Sequence, residues 1–160
     1  MITLRAPRPG EFGWIVQRHG LLYAQEEGWD ARFEGVVAGV VSDFIKTFDP
    51  AREACWIAEH AGERVGSIML ARESDTIGRL RLLLVEPSAR GLGVGEKLVA
   101  ECLSFARLAG YGEVVLWTQS TLFPARRLYE RAGFVLEESW PYDGFGEGLV
   151  SETWRLKFDV

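Results

Sequence analysis

Two cysteines, two histidines and two methionines are all that the 160-residue chain offers of the side chains that ligate soft metals. Cys55 and Cys102 lie inside apolar segments, with no CxxC or histidine spacing. A metal site and a disulfide framework are therefore not expected, and both residues read as core thiols of a reducing compartment. Basic residues are also in short supply, 18 against 23 acidic, for a net charge of -5. That balance removes the electrostatic footprint of a nucleic-acid binder and mildly favours cationic partners. No apolar run approaches the roughly 18 residues of a membrane span, and the start, MITLRAPRPG, has no signal-peptide core. A cytoplasmic protein with no membrane partner is expected. Repeats, low-complexity tracts and long linkers are missing too. With a hydrophobic fraction of 48%, residues 1–160 read as one domain with one sizeable core.

What is present follows a regular order. Ile2 to Arg5 predicts a short strand, closed by Pro7, Pro9 and Gly10. From Glu11, the apolar positions Phe12, Ile15, Val16, His19, Leu22 and Tyr23 trace one helical face. The run Gln25 to Asp30 breaks that pattern, and Asp30 suits the N-cap of a second helix with a stripe running from Phe33 and Val36 to Ile45 and Phe48. Cys55–Glu59 and Arg64–Ala71 read as an antiparallel pair about the turn His60–Glu63. Leu80–Val85 is a buried strand, Val94 to Ala109 an amphipathic helix and Val114–Thr118 another strand. A right-handed crossover through that helix predicts parallel pairing of Leu80–Val85 with Val114–Thr118. Pro124 and Gly133 bracket a short helix. Phe134–Leu136 and Val150–Phe158 read as a terminal hairpin around an aromatic, acidic loop from Trp140 to Gly148.

The centre of this order is the stretch RLRLLLVEPSARGLGVGEKLVAECLSFARLAG, Arg79 to Gly110. Between its strand and helix stands Arg90-Gly91-Leu92-Gly93-Val94-Gly95. Glycines let a bound group approach the backbone, and the first N–H groups of the helix have no partner of their own. With the positive end of the helix dipole and a cation beside it, such a turn suits a phosphate. It is not a Walker A loop, because Gly95 is followed by Glu96 and Lys97 by Leu98. Nor does it fit a dinucleotide fingerprint, whose third glycine would fall where Lys97 and Leu98 stand.

The turn resembles motif A of the GNAT superfamily of N-acetyltransferases, Arg/Gln-x-x-Gly-x-Gly/Ala, through Arg90, Gly93 and Gly95. A second stretch, A-R-R-L-Y-E-R-A-G-F from Ala125 to Phe134, resembles motif B of the same superfamily. The segment from EFGWIVQRHG to Gly28-Trp29 is closer still to the acetyltransferase halves of MarR–GNAT fusion proteins. As this chain begins directly at the acetyltransferase part, transcriptional regulation is not carried over from those fusions. The resemblance implies an α/β (α+β) GNAT fold: a mixed sheet of about seven strands flanked by about four helices and splayed between the fourth and fifth strands. It also implies acetyl-CoA as co-substrate, held by backbone groups of Leu83 and Val85 on the pantetheine arm. The turn Arg90, Gly91, Gly93, Val94 and Gly95 would hold the pyrophosphate, with charge-assisted bonds worth roughly 1.5–3 kcal/mol each. Relatives often carry Asn where this chain has Leu122, so no coenzyme contact is transferred to that position.

The reaction that the resemblance implies is attack of a primary amine, on a small molecule or a lysine side chain, on the acetyl thioester. An alkyl amine of pKa about 10.4 is neutral in only about one part in a thousand at pH 7, a penalty of roughly 4–5 kcal/mol. A base, a water relay or a desolvating pocket must offset it. Tyr129, from its place in motif B, is the expected acid for the departing thiolate. Glu86, just past the central strand, is the first candidate base. His19 reads as a hydrogen-bonded core histidine, and His60 as a turn residue. The acceptor is expected between Tyr23–Asp30 and Trp140–Glu147, with Glu26, Trp29, Trp140 and Tyr142 as substrate-binding candidates. A homodimer is allowed. The alternative is a non-catalytic acyl-CoA-binding module, which thiol release with an amine panel would separate from an enzyme.

Overall fold

The computed structural model describes residues 1–159. Its elements in order are β1 (Ile2–Arg5), α1 (Glu11–Glu27), α2 (Ala31–Lys46), β2 (Ala54–His60), β3 (Glu63–Arg72) and β4 (Ile77–Val85). These are followed by α3 (Val94–Leu108), β5 (Glu113–Gln119), α4 (Phe123–Ala132), β6 (Val135–Tyr142) and β7 (Leu149–Lys157), with a single 3-10 turn over Pro87–Ala89. The seven strands form one sheet in the order β1-β2-β3-β4-β5-β7-β6, antiparallel except where β4 meets β5. One face packs on α3 and α4 through Leu70, Leu98, Cys102, Val114 and Tyr129. The other is covered by α1 and α2 through Ile15, Val37, Val41 and Phe44. Among the described residues no helix is long and apolar enough to cross a membrane.

Several local devices follow from single residues. Asp30 accepts a hydrogen bond from the Arg32 N–H at 2.9 Å and caps α2 as expected. Gly133, at φ 104°, ends α4 and returns the Phe134 N–H to the Tyr129 carbonyl at 2.9 Å. Gly28, at φ 74°, ends α1 in the same left-handed way and swings Trp29 back onto the helix it has just left. Glu11 opens α1 as a buried carboxylate, taking Arg5 at 2.6 and 2.7 Å and the Arg8 N–H at 2.6 Å.

Three expectations are corrected. Parallel pairing between β4 and β5 covers only Ile77–Arg79 against Glu113–Val115, so Leu80–Val85 is not the paired segment. The cause lies in β4, where Leu82 takes φ 55° and the register against β3 shifts between Ser67 and Met69. Such a bulge bends and twists a strand, and here it carries the rest of β4 away from β5. Trp140, Pro141 and Tyr142 are not loop residues but the end of β6, paired with Ser151, Val150 and Leu149. β6 is an edge strand, where Pro141 deprives no inner ladder of a donor. Ile45 and Phe48, read as buried, are about half exposed at the far end of α2.

Candidate active site

Two cavities meet beside the free edge of β4. The first is a cleft of about 340 Å³ between α1, β4 and α4, lined among others by Leu83, Val85, Arg90, Leu122 and Leu128. Past Arg79, β4 has no β5 partner, so the Leu83 and Val85 backbone groups face this cleft unclaimed by a neighbouring strand. An extended ligand can add there as a strand would. At its end Gly91 and Gly93 adopt φ 83° and 80°, and a Cβ built at either would meet nothing within 4 Å. These two positions leave the turn bare above the start of α3, which suits close approach by a diphosphate. Gly95 is different. A Cβ there would lie 2.7 Å from the Leu128 Cδ1, so this glycine lets α3 and α4 close on each other. Arg90 points its guanidinium at Glu26, with both nitrogen–oxygen distances 2.7 Å.

The second cavity is a chamber of about 110 Å³ that shares Tyr23, Leu83, Leu122 and Ala125 with the cleft. Its roof is built by the turn between α1 and α2. Trp29 stacks on Tyr23 at 5.1 Å and 11°, Phe33 meets both rings edge-on, and Phe145 lies 4.7 Å from Trp29. The Asp30 N–H donates to the Phe145 carbonyl at 3.1 Å, tying the loop after β6 to this turn. Trp117 and Gln119 of β5, Arg79 and Arg81 of β4 and Tyr129 of α4 complete the walls. Arg79 donates to Glu73 at 2.9 Å, while Arg81 has no carboxylate within 4.0 Å among the described residues.

Tyr129 is 5% exposed, its ring edge-on to Phe134. Burial pushes its phenol above the ordinary tyrosine value, so the group keeps its proton throughout the working range. Its hydroxyl makes no hydrogen bond to another described residue. His19 is buried as a core histidine should be, yet it also lines the chamber. Its Nδ1 lies 2.8 Å from the Ile15 carbonyl, which can only accept, and the Leu82 backbone also favours the protonated ring. Burial pulls His19 down to about 4, and the ring is neutral at physiological pH. Glu86 lies outside the lining of both cavities, and its two oxygens take Arg18 of α1 at 2.6 and 2.8 Å.

The expected site residues thus divide. Leu83, Val85 and Arg90 line the cleft, with Gly91 and Gly93 next along the chain, and Trp29 and Tyr129 line the chamber. Glu26 is drawn to Arg90 rather than toward an acceptor, and burial is outweighed by that bond in holding its carboxyl below the usual range. Trp140 sits on the edge strand opposite Ser151, away from the chamber. Tyr142 stands behind the wall, edge-on to Trp117 at 5.3 Å and to Phe145 at 5.2 Å. Sequence reasoning missed Trp117, Gln119, Arg79 and Arg81 altogether. Two arginines alternating in an otherwise apolar central strand were the signal for the last pair.

Comparison with known proteins agrees with this geometry. A profile of the acetyltransferase (GNAT) family matches residues 6–134. An uncharacterised N-acetyltransferase of Schizosaccharomyces pombe is 31% identical over 133 residues, covering 82% of this chain and 78% of that protein. Others are longer: the match to rat N-acetyltransferase family 8 member 3, 33% identical, covers 59% of this chain but 44% of the relative. Among solved structures, the Salmonella typhimurium protein yncA, determined with its cofactor acetyl-CoA, superposes with a TM-score of 0.78 at 20% identity over 99% of this chain and 94% of its own. A Bacillus anthracis protein assigned as a streptothricin acetyltransferase, in complex with acetyl coenzyme A, gives a TM-score of 0.64 at 25% identity over 72% and 68%. The chain thus belongs to the GNAT acetyltransferases.

Proposed function

We propose that the protein transfers the acetyl group of acetyl-CoA to a primary amine by direct attack within a ternary complex. The observation that carries this reading is the wall shared by cleft and chamber, which includes Ala125, one helical turn before Tyr129 on α4. A thioester whose pantetheine arm pairs with Leu83 and Val85 reaches that junction from one side, and an amine reaches it from the other. The amine nitrogen bonds to the acetyl carbon, the carbon–sulfur bond breaks, the departing thiolate takes the Tyr129 proton, and the surplus proton on the new amide nitrogen returns to Tyr129 through water. The ammonium must first lose a proton to solvent, which the aromatic walls favour by desolvating it. Glu86 serves as base only if it leaves Arg18 or acts through water, so we rank desolvation ahead of it. The turn from Arg90 to Gly95 holds the diphosphate. We place the protein in the cytoplasm, where its buried thiols Cys55 and Cys102 remain free. The nearer likeness to MarR–GNAT acetyltransferase halves rests on α1 and the Gly28-Trp29 turn, which here form the chamber roof.

The test is free-thiol release by purified protein with acetyl-CoA and a panel of amines. Amine-dependent release, with acetyl-CoA binding in calorimetry, is the expected result. Binding without turnover across the panel would favour the non-catalytic module, and no binding at all would end the proposal.

A further inference from the structure

We infer that the acceptor carries a carboxylate beside its amine, as an apolar or aromatic α-amino acid does, and that Arg81 is the residue that binds it. The inference rests on the acetyltransferase reading above and adds the class of acceptor.

Four observations lead there. The chamber has no Asp or Glu in its lining, although it has two arginines. Arg79 is neutralised by Glu73, but Arg81 has no ion pair of its own among the described residues. Asp43 of α2 is the other carboxylate whose field reaches Arg81, and it lies beyond ion-pair distance. A guanidinium that is partly buried without a partner is costly, and a carboxylate is the group whose geometry matches its planar fork. Burial, with the Arg79 cation next, already holds Arg81 below its ordinary value, the sign of a charge short of stabilisation.

The position of Arg81 follows from strand geometry. It pairs with Met69, which is buried under α1 and α2, so Arg81 projects to that same face of the sheet. It stands immediately before the Leu82 bulge, whose displaced backbone opens the cleft for the thioester. A carboxylate held by Arg81 therefore brings an amine one or two bonds away toward the junction of the cavities. Around it the chamber supplies hydrocarbon and rings, Val36, Val37, Val40 and Phe33 among them. Of the four buried polar side-chain atoms with no partner among the described residues, three belong to chamber-lining residues: Trp29 Nε1, Trp117 Nε1 and His19 Nε2. The two indole N–H groups are donors with no acceptor among the described residues. A purely cationic acceptor, a diamine or a lysine side chain, would instead meet Arg81 as a like charge.

The experiment is steady-state thiol release by the full chain at saturating acetyl-CoA, using matched acceptors. L-Leucine and L-phenylalanine are compared with isoamylamine, phenethylamine, the two methyl esters and a lysine-containing peptide. The amino acids should exceed their decarboxylated and esterified partners in kcat/KM by about 10- to 100-fold, the worth of one charge-assisted fork, and chiefly through KM. Arg81→Met should collapse that ratio to a few-fold, and Arg81→Lys should restore part of it, with thermal unfolding confirming that both variants fold. Equal or better use of the decarboxylated amines or the peptide, or an unchanged ratio in Arg81→Met, overturns the inference while leaving the acetyltransferase reading intact. Should nothing in the panel turn over, N-acetyl-L-phenylalanine and N-acetylphenethylamine titrated into the coenzyme A-loaded protein decide it: no preference for the carboxylate overturns it. Failure to bind coenzyme A at all removes the parent reading instead.

Discussion

Replacing Tyr129 by phenylalanine should separate folding from chemistry. The ring stays: it packs edge-on to Phe134 at 5.8 Å and tilted against Trp154 at 6.4 Å, contacts that phenylalanine reproduces. The hydroxyl is the only group lost, and it bonds to no described residue, so no protein hydrogen bond is broken. Stability should therefore change by no more than about 0.5 kcal/mol. The affinity for coenzyme should also hold, because the diphosphate turn at Gly91 and Gly93 belongs to a different part of the cleft. Catalysis should not. A positioned acid contributes about 10²- to 10⁴-fold, so kcat should fall by that factor, or about 3–5 kcal/mol in the barrier. Burial raises the phenol above its ordinary value of 10.0, so the wild-type rate should show no loss from Tyr129 ionisation below that pH. Thiol release measured across pH, with calorimetry and thermal unfolding on the same samples, gives all three quantities. If Tyr129→Phe kept its kcat within about threefold of wild type, the assignment of Tyr129 as acid would be refuted, whatever the coenzyme affinity.

Glu26 holds Arg90, the cation proposed to meet the diphosphate, so Glu26→Gln should tighten coenzyme binding. Both partners are well exposed, and such pairs are worth about 0.2–1 kcal/mol, which sets the gain at no more than about fivefold in calorimetry. The turn glycines should answer differently to alanine. Gly93→Ala meets no neighbour and should cost about 1–2 kcal/mol through its left-handed φ, with a larger loss in coenzyme affinity. Gly95→Ala, pressed on Leu128, should destabilise by about 1–3 kcal/mol, and Leu128→Ala should relieve the added clash in a double-mutant cycle. Acid should unfold the protein in two stages. His19 is pulled from 6.5 to about 4 by burial, so the unfolded chain binds the extra proton and stability falls as pH drops through that window. Glu11 is lowered from 4.5 to about 2, first by its hydrogen bonds from Arg5, and its contribution is lost as pH falls from 4.5 toward 2. Each is worth up to about 3 kcal/mol, and urea midpoints of His19→Gln and Glu11→Gln should be flatter in the matching window.

Element order was readable because each element carries its own local signal. Asp30, Gly133 and the three- and four-residue spacing in α3 are decided by the residues themselves, and the structure follows them. What the sequence hid depends on distant chain. Leu82, Leu83, Leu84 and Val85 are apolar on both faces of β4, so no alternation existed that a bulge could interrupt visibly. Pro141 was read as a turn residue because its tolerance in β6 depends on that strand lying at the sheet's edge. Ile45 and Phe48 fit the helical stripe perfectly well, but α2 outruns the sheet beneath it. The residues expected on the coenzyme side form one continuous stretch, which is why the sequence could nominate them. The acceptor side is assembled from α1, α2, β4, β5, α4 and the loop after β6, and no local pattern records that meeting.

The bulge explains why one strand can serve both sides. Upstream of it, Gly78 and Leu80 face α3 while Arg79 and Arg81 face α1 and α2. Downstream the parity is reversed: Val85 pairs with Gly66 and approaches Gly95 of α3, while Leu84 pairs with Ser67. Without the extra residue, a regular β4 carrying Arg81 into the chamber would also turn Val85 away from α3 and onto the opposite face. The core under the glycine turn would lose an aliphatic contact, and the ladder to β5 would have no reason to stop at Arg79. One residue at φ 55° thus accompanies three things: an apolar contact to α3, an unpaired edge past Arg79, and a guanidinium turned into the chamber. On the proposed reading, coenzyme and acceptor specificity are written into consecutive residues of a single strand.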